Sequence, residues 1–235
     1  MSFNQNIEML NKNEGEPEIT FKIIVLGDSF VGKSCLTLKA VKGSFEKEYK
    51  STVGFEFLNY TVKIENYNIK LQIWDTCGQE AYRSLISSFY HSSALAILVY
   101  SIDSEVSFNN LEIWLNEIKT KGNPDINIIL IGNKADLESK REVTKEMANE
   151  WCENNNIKFF METSAKNGDN VKNLFSEAAK ILLEQHKKQK HRILLTSSMK
   201  NVLEEAEVYD GETSKEINIS DGNDSVKKKK KKCCS

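Results

Sequence analysis

The sequence has no long hydrophobic run. Its longest uninterrupted apolar stretch covers residues 94–100, whereas a helix that crosses a bilayer needs about 20 apolar residues. We therefore expect no transmembrane helix. Residues 1–18 are polar and acidic, with neither the apolar centre of a signal peptide nor the arginine-rich composition of a transit peptide. No targeting leader is expected either.

The five cysteines, at positions 35, 77, 152, 233 and 234, lack the spacing of a zinc site or of a disulfide framework. We interpret the first three as reduced thiols. The chain also lacks an excess of positive charge, since its formal net charge is −2. Its overall charge therefore predicts no nucleic-acid partner.

Apolar runs of strand type alternate with helical patterns from residue 21 onward. They predict strands at 21–26, 55–64, 69–74, 94–100, 126–131 and 157–161, and helices at 33–41, 108–119, 144–153 and 171–183. This alternation implies crossover connections and an α/β fold, with a mostly parallel six-stranded sheet and helices on both faces. The second and third strands flank residues 66–68 and predict one antiparallel hairpin.

Composition divides the chain into three parts. Residues 1–19 predict a flexible acidic extension, and residues 20–185 predict one domain. Residues 186–235 predict a disordered tail, because 203–226 are acidic and have too few large apolar groups to form a core. The tail ends in six lysines at 227–232, and the other 26 basic and 34 acidic residues give −8. The small net charge is therefore the sum of an acidic chain outside residues 227–232 and a basic run within them.

Residues 27–34, GDSFVGKS, match the phosphate-binding pattern G-x-x-x-x-G-K-[ST] between a predicted strand and a predicted helix. Backbone N–H groups of such a loop surround phosphate oxygens, and the helix N-terminus adds positive potential. The lysine would reach the β- and γ-phosphates, and the serine hydroxyl would bind Mg²⁺. The alternative is a chance glycine turn. The predicted binding residues are Gly27, Asp28, Ser29, Phe30, Val31, Gly32, Lys33, Ser34 and Cys35.

A second segment, WDTCGQE at residues 74–80, follows the third predicted strand. Open α/β sheets bind ligands outside the carboxyl ends of their strands, so we predict that Asp75 holds Mg²⁺ through water. Gly78 has no side chain to keep its N–H from the γ-phosphate. Gln79 can both donate to and accept from an attacking water, which makes it the candidate for orienting that water. Taken alone, the segment also fits an ordinary turn.

Residues 131–136, IGNKAD, predict a guanine site after the fifth strand. Asp136 can accept hydrogen bonds from N1–H and the exocyclic amine of guanine, whereas adenine would leave the carboxylate unpaired. The stem of Lys134 can cover the base, and residues 164–166 can close the pocket over the base oxygen. Taken alone, N-K-x-D also fits a surface turn. The predicted base-site residues are Asn133, Lys134, Asp136, Ser164, Ala165 and Lys166.

The segments GDSFVGKS, STVGFEF, WDTCGQE, NKAD and ETSAK, in this order over about residues 20–185, resemble the small GTPases of the Ras superfamily. Within it, TVGFEF, KLQIWD and YRSL are most similar to the Rab branch. The resemblance implies a P-loop NTPase domain of the small G type. Such a domain binds GTP or GDP with Mg²⁺, hydrolyses GTP slowly and regulates vesicle traffic by recruiting effectors in its GTP state.

The resemblance also implies roles for residues outside the phosphate loop. Thr52 matches a threonine that binds Mg²⁺ and senses the γ-phosphate, and Phe45 matches an aromatic residue that packs against guanine. Two loops at about 47–56 and 77–92 would change order when the γ-phosphate is lost. Three aromatic residues that effectors contact are matched by Phe57, Trp74 and Phe89.

The predicted reaction is in-line attack of water on the γ-phosphate, with positioning and charge neutralisation supplying the rate. Gln79 and Lys33 are the predicted catalytic residues. No residue is an obvious arginine finger, so we expect a GTPase-activating protein to accelerate the reaction. The resemblance further implies a guanine nucleotide exchange factor, a GDP-dissociation inhibitor and effectors as partners of a monomer.

The chain ends in Cys233, Cys234 and Ser235, which do not form a C-a-a-X signal. This end resembles the doubly geranylgeranylated termini of Rab proteins. Two lipid chains anchor a protein stably, and each lysine adds roughly 1 kcal/mol near an anionic leaflet. We therefore expect the cytoplasmic face of intracellular membranes, in exchange with the cytosol. The alternative for the lysine run is a solvated or nuclear-localisation stretch.

Two other functions fit the sequence. Phe30 stands where most relatives have a small residue, and Cys77 replaces the usual alanine. These two departures motivate a GTP-binding interaction scaffold with little hydrolysis. A Ras-type signalling switch is the other alternative, and the paired cysteines and Trp74 disfavour it.

Overall fold

A single mixed sheet organises the part of the chain that the computed structural model describes, which is residues 19–45, 52, 54–78 and 89–212, with side chains described as far as residue 196. The strands in these ranges are β1 (Ile19–Leu26), β2 (Phe55–Ile64), β3 (Tyr67–Thr76), β4 (Leu95–Ser101), β5 (Asn127–Asn133) and β6 (Phe159–Glu162). The helices are α1 (Lys33–Lys42), α2 (Glu105–Asn109), α3 (Leu111–Lys121), α4 (Lys145–Asn155) and α5 (Val171–Glu212), with a 3-10 helix at Ala135–Lys140.

The strand order is β2-β3-β1-β4-β5-β6. β1 pairs in parallel with β3 and β4, and β5 pairs in parallel with β4 and β6. Only the β2–β3 pair within the described residues is antiparallel. The predicted fold class is confirmed. Because five strands run in one direction, their carboxyl ends lie at the same edge, and the segments that follow them meet there.

The core has two layers, one on each face of the sheet. Successive strand side chains point to opposite faces, and β1 shows the consequence. Val25 packs in a cluster with Leu36 of α1 and Phe175 of α5, whereas Leu26 packs with Trp114 of α3. Each of these residues is fully buried. Burial on both faces explains why the parallel strands read as nearly continuous apolar runs.

Some boundaries differ from the predicted ones. The predicted helix at 108–119 is two helices, since α2 ends at Asn109, α3 begins at Leu111, and Asn110 between them is the C-cap of the first and the N-cap of the second. The predicted strand at 157–161 is β6, which begins only at Phe159. Ile157 lies two residues beyond α4 and caps its last turn, since its N–H bonds to the Cys152 carbonyl at 2.9 Å.

The last helix is longer than predicted. α5 continues to Glu212 rather than ending near residue 183, so residues 203–212 have a helical backbone where we expected disorder. No proline interrupts residues 171–212, and most of them are good helix formers. Contacts divide the chain into two units, residues 1–187 and 188–235. No helix in the described residues is long and apolar enough to cross a bilayer.

Candidate functional site

Four sequence segments meet at the carboxyl edge of the sheet around a cavity of about 390 Å³, within the size range of small-molecule sites. The cavity is lined by fourteen of the predicted residues: Ser29, Phe30, Gly32, Lys33, Ser34, Cys35, Phe45, Thr52, Gly78, Asn133, Lys134, Asp136, Ala165 and Lys166. Thr76, Cys77 and Leu137 also line it, and they were not among the predicted ligand contacts. They neighbour predicted residues in sequence, which is the one signal for them.

The phosphate loop depends on two glycines. Gly27 has a φ of +140°, and a Cβ there would lie 2.1 Å from the carbonyl oxygen of Val99. Gly32 has a φ of +95°, and its Cβ would lie 2.4 Å from Nδ2 of Asn133. Any larger residue would clash at either position. α1 begins directly after Gly32 without a side-chain cap, so its first N–H groups can bind an anion.

Lys33 lies inside the loop. Its ammonium donates to the carbonyl oxygens of Gly27 at 2.8 Å and Asp28 at 2.7 Å, and the residue is 5% exposed. Burial lowers the pKa of Lys33 to about 8, and the nearby carboxylates of Asp75 and Asp28 oppose that shift. A lysine ammonium has three donors, so one remains for a ligand while the other two hold the loop.

An oxygen-rich corner lies beside this lysine. The hydroxyls of Ser34 and Thr52 are hydrogen-bonded at 2.7 Å. Asp75 is fully buried, and its two carboxylate oxygens have no hydrogen-bond partner among the described residues. Burial raises the pKa of Asp75 to about 6, while Ser34 and Lys33 act to lower it. An unpaired buried carboxylate is costly, and one carboxylate with two hydroxyls suits a hard cation such as Mg²⁺.

No cluster of three or more His, Cys, Asp or Glu side chains that could hold a metal occurs in the described residues. This agrees with the donor set of the oxygen-rich corner. Mg²⁺ is usually bound by one or two carboxylates together with water and substrate phosphates, and it does not require a cage of protein ligands. Ser34, Thr52 and Asp75 are therefore the side chains that fit the ion.

The segment after β3 lies against the phosphate loop. A Cβ on Gly78 would be 2.3 Å from the backbone of Asp28 and Ser29, so only glycine permits this approach. The Thr76 hydroxyl donates to the Val25 carbonyl at 2.7 Å and ties β3 to β1. Gln79, the predicted water-orienting residue, lies outside the described residues.

Asn133 braces the other side of the cavity. Its Nδ2 donates to the Val31 carbonyl at 2.8 Å, and its Oδ1 accepts from the Thr163 hydroxyl at 3.1 Å and the Ala165 N–H at 3.3 Å. The residue is 1% exposed. Its side chain thus joins the phosphate loop, the end of β5 and the loop after β6. Although it borders the cavity, its hydrogen bonds go to protein groups.

The base-site carboxylate has one occupied oxygen. Oδ1 of Asp136 accepts from the Ser164 hydroxyl at 2.6 Å, whereas Oδ2 faces the Lys166 ammonium at 3.6 Å. Lys134 has a left-handed backbone, with a φ of 64°, and its ammonium lies 3.6 Å from Asp103. The ion pair with Asp103 anchors the far end of that side chain. Ser164 therefore orients Asp136 and leaves acceptor capacity for a ligand.

Five predicted residues do not line the cavity: Gly27, Asp28, Val31, Asp75 and Ser164. Each instead contacts a residue that does. Asp28 is the clearest case, because its carboxylate accepts from the side chains of Asn110 at 2.7 Å and Trp114 at 2.9 Å. Sequence reasoning did not connect the phosphate loop with Asn110 or Trp114.

The predicted aromatic triad forms a cluster on the β2–β3 side of the sheet. Trp74 stacks on Phe89 with ring centroids 4.5 Å apart and contacts Phe57 at 5.2 Å. Phe55 adds a fourth ring, 5.3 Å from Trp74 and 4.8 Å from Phe89. Phe55 was not among the predicted residues, although residues two apart in a strand share a face. Phe55 and Phe57 are 43% and 42% exposed, so part of the cluster faces solvent.

Several predictions fall outside the described residues. They are the acidic extension at 1–18, most of the two loops at about 47–56 and 77–92, residues 213–226, the lysines at 227–232, and the terminal Cys233 and Cys234. They stay predictions.

Comparison with known proteins agrees with this site. Residues 22–184 match the Ras family. The chain is 47% identical over 161 residues to the Ras-related protein Rab5 of Nicotiana tabacum, covering 68% of this chain and 80% of that relative. It is 40% identical over 169 residues to the Ras-related protein Rab-4 of Dictyostelium discoideum, covering 72% and 82%. The Ras-related protein YPTC6 of Chlamydomonas reinhardtii is 37% identical over 227 residues, covering 97% and 100%.

Proposed function

The chain belongs to the Ras family and is a Rab-type small GTPase, and from this premise we propose how its residues bind and hydrolyse GTP. The protein is a GTP/GDP switch of vesicle traffic. The observation that carries the residue assignment is the convergence of the phosphate loop, Asp75–Gly78, Asn133–Asp136 and residues 164–166 around one edge of the sheet.

The phosphates lie in the loop between β1 and α1. The first N–H groups of α1 and the loop backbone donate to phosphate oxygens. Lys33 keeps one ammonium donor for the β- and γ-phosphates while it holds the carbonyls of Gly27 and Asp28. The positive charge of Lys33 attracts the negatively charged triphosphate, and the attraction is strong because the lysine is buried.

The hydroxyls of Ser34 and Thr52 would hold Mg²⁺, and Asp75 would act through water. When bound, the ion neutralises phosphate charge. Asp75 is buried beside the Lys33 ammonium, and its two carboxylate oxygens have no hydrogen-bond partner among the described residues, so they can accept from water bound to the ion. The hydrogen bond between Ser34 and Thr52 already brings the two hydroxyl ligands together.

The base lies between the segments that follow β5 and β6. Asp136 accepts from N1–H and the exocyclic amine of guanine, and Ser164 fixes its orientation. Lys134 covers one side of the base, and Phe45 packs against it from the cavity wall. Residues 165–166 close over the base oxygen. Adenine is rejected because it offers no matching pair of donors, so the acceptor capacity that Ser164 leaves on Asp136 would stay unused.

Hydrolysis proceeds by attack of a water oxygen on the γ-phosphorus, with cleavage of the bond to the β–γ bridging oxygen. The products are GDP and inorganic phosphate. Gln79 orients the water, and Lys33 stabilises charge on the transferred group. A GTPase-activating protein supplies the charge that this site lacks.

The remaining proposals concern partners and membrane. An exchange factor, a GTPase-activating protein and a GDP-dissociation inhibitor act on a monomer, and effectors contact Phe57, Trp74 and Phe89. Geranylgeranyl groups on Cys233 and Cys234, together with the lysine run, hold the protein on the cytoplasmic face of intracellular membranes. Mass spectrometry of membrane-extracted protein tests the anchor, and unmodified cysteines would contradict it.

The nucleotide proposal is tested by single-turnover phosphate release from purified protein loaded with GTP, with and without cell extract. We expect Gln79→Leu to abolish the stimulated rate with little loss of GTP binding, because only the water is left unoriented. Gln189→Leu, a change at an exposed glutamine outside the site, should keep the stimulated rate. Unchanged release by Gln79→Leu would refute the role of Gln79.

A further inference from the structure

The carboxylate of Asp28 points away from the nucleotide cavity. It lies in the phosphate loop, but its two oxygens accept hydrogen bonds from Asn110 Nδ2 at 2.7 Å and Trp114 Nε1 at 2.9 Å. Inside the loop, a carboxylate would repel phosphate groups. The two donors satisfy the charge on the far side of the loop, so the residue is compatible with phosphate binding.

The two donors form a rigid support. Asn110 and Trp114 are four residues apart and therefore lie on the same face of the helical segment at the α2–α3 junction. Trp114 is fully buried among the residues that cover one face of the sheet. The junction is itself attached to the sheet, because the Ser101 N–H at the end of β4 donates to the Ser107 hydroxyl at 3.0 Å.

The backbone of Asp28 forms part of the cavity's supporting wall. Its carbonyl oxygen accepts from the Lys33 ammonium at 2.7 Å. Gly78 lies so close to it that a Cβ on Gly78 would be 2.3 Å from the Asp28 carbonyl carbon. A shift of Asp28 would therefore move both the lysine and the γ-phosphate side of the site.

We propose that Asp28 is a positioning residue that fixes the phosphate loop to the α2–α3 junction, and that this tether slows nucleotide release. The inference rests on the proposed nucleotide site. The side chain of Asp28 points away from the nucleotide cavity and does not contact the nucleotide. It acts through its own backbone, which orients Lys33, and through the loop that it prevents from relaxing.

The test measures dissociation of fluorescently labelled GDP from the full chain. Hydrogen bonds to a charged group are strong enough that losing them changes an equilibrium by about tenfold or more. We expect Asp28→Ala to release GDP about tenfold faster, with smaller increases for Trp114→Phe and Asn110→Ala. Asp28→Asn should partly rescue the rate, because its amide oxygen can still accept from the indole N–H.

Trp151→Phe is the matched control. It removes an indole N–H that donates to Glu112 at 3.2 Å on the surface, away from the loop, and should change GDP release less than twofold. A purely structural role predicts that release follows the loss of thermal stability. A positioning role predicts faster release from protein that is still folded, and no further increase when Asp28→Ala is added to the double variant Trp114→Phe, Asn110→Ala.

Two results separate the possible failures. In the first case, the wild-type chain binds labelled GDP, thermal denaturation shows that Asp28→Ala is folded, and the variant releases GDP at the wild-type rate. The tether is then refuted and the nucleotide site stands. If the wild-type chain binds no labelled GDP, the nucleotide site itself is refuted, and the tether with it. Asn110→Ala tests the same bond network at a half-buried position should Trp114→Phe fail to fold.

Discussion

Nδ2 of Asn133 donates to the carbonyl oxygen of Val31 at 2.8 Å, joining residues that are 102 positions apart in sequence. The same side chain accepts from Thr163 and Ala165. One buried amide therefore connects the phosphate side of the cavity with both loops of the base side. The relative placement of the two halves of the nucleotide site depends on it.

Asn133→Ala should weaken both folding and nucleotide binding. The change leaves the Val31 carbonyl, the Thr163 hydroxyl and the Ala165 N–H without their partner, at about 1–3 kcal/mol for each buried group. The melting temperature should fall by at least about 6 °C, and GTP and GDP should both dissociate faster. Asn127→Ala removes a half-buried amide at the other end of β5, which donates to Gln185 of α5 at 2.6 Å, and should leave nucleotide dissociation unchanged. Equal dissociation rates for the two variants would contradict the bracing role.

Asp136→Asn should change base preference. The amide oxygen can still accept from Ser164, but the amide NH₂ would face the N1–H and amine donors of guanine. Xanthine carries a carbonyl in place of that amine and can accept from the NH₂. We expect GTP affinity to fall by about 100-fold or more, with a gain in affinity for xanthosine triphosphate. Competition against labelled GDP measures both, and Asp125→Asn, at an exposed position, is the control.

Phe30 carries backbone strain that a substitution can release. Its φ is 65°, and its side chain is 76% exposed. A left-handed conformation costs a residue with a Cβ roughly 1 kcal/mol, and the exposed ring gains little from burial. Phe30→Gly should therefore be more stable than Phe30→Ala by about 1 kcal/mol, or about 3 °C in melting temperature. Equal melting temperatures would show that the strain is absent in solution.

The buried thiol of Cys152 should lower the free energy of unfolding in alkaline solution. Burial raises the pKa of its thiol from 9.0 to about 11. Below pH 9 the thiol is protonated in both folded and unfolded chains, so it has no effect on stability. Between pH 9 and 11 the unfolded chain loses the proton first, and the free energy of unfolding therefore falls as the pH rises. Denaturant unfolding across this range should show a steeper decline for the wild type than for Cys152→Ala, and parallel declines would contradict the burial of the thiol.

Much of the fold was predictable because local patterns and tertiary packing agree. The apolar runs that form β1, β4 and β5 are buried on both faces, so they stand out against any flanking sequence. Boundaries were less predictable. Asn110 ends one helix and precedes the next, and nothing in the composition of residues 108–119 indicates the break. The extension of α5 to Glu212 was also missed, since an acidic composition predicts disorder as readily as a long helix.

By itself the sequence predicted the nucleotide class and the chemistry of the site, because phosphate loops and base-reading carboxylates require particular residue types at short spacings. Gly27, Lys33 and Asp136 were predicted as binding residues in this way. Only the tertiary structure decided which of these side chains line the cavity and which support it. Asn133 bonds to protein groups and Asp28 turns toward Trp114, since hydrogen bonds between distant segments depend on how the sheet brings strand ends together. A sequence motif identifies a residue, but it does not specify the direction in which the side chain points.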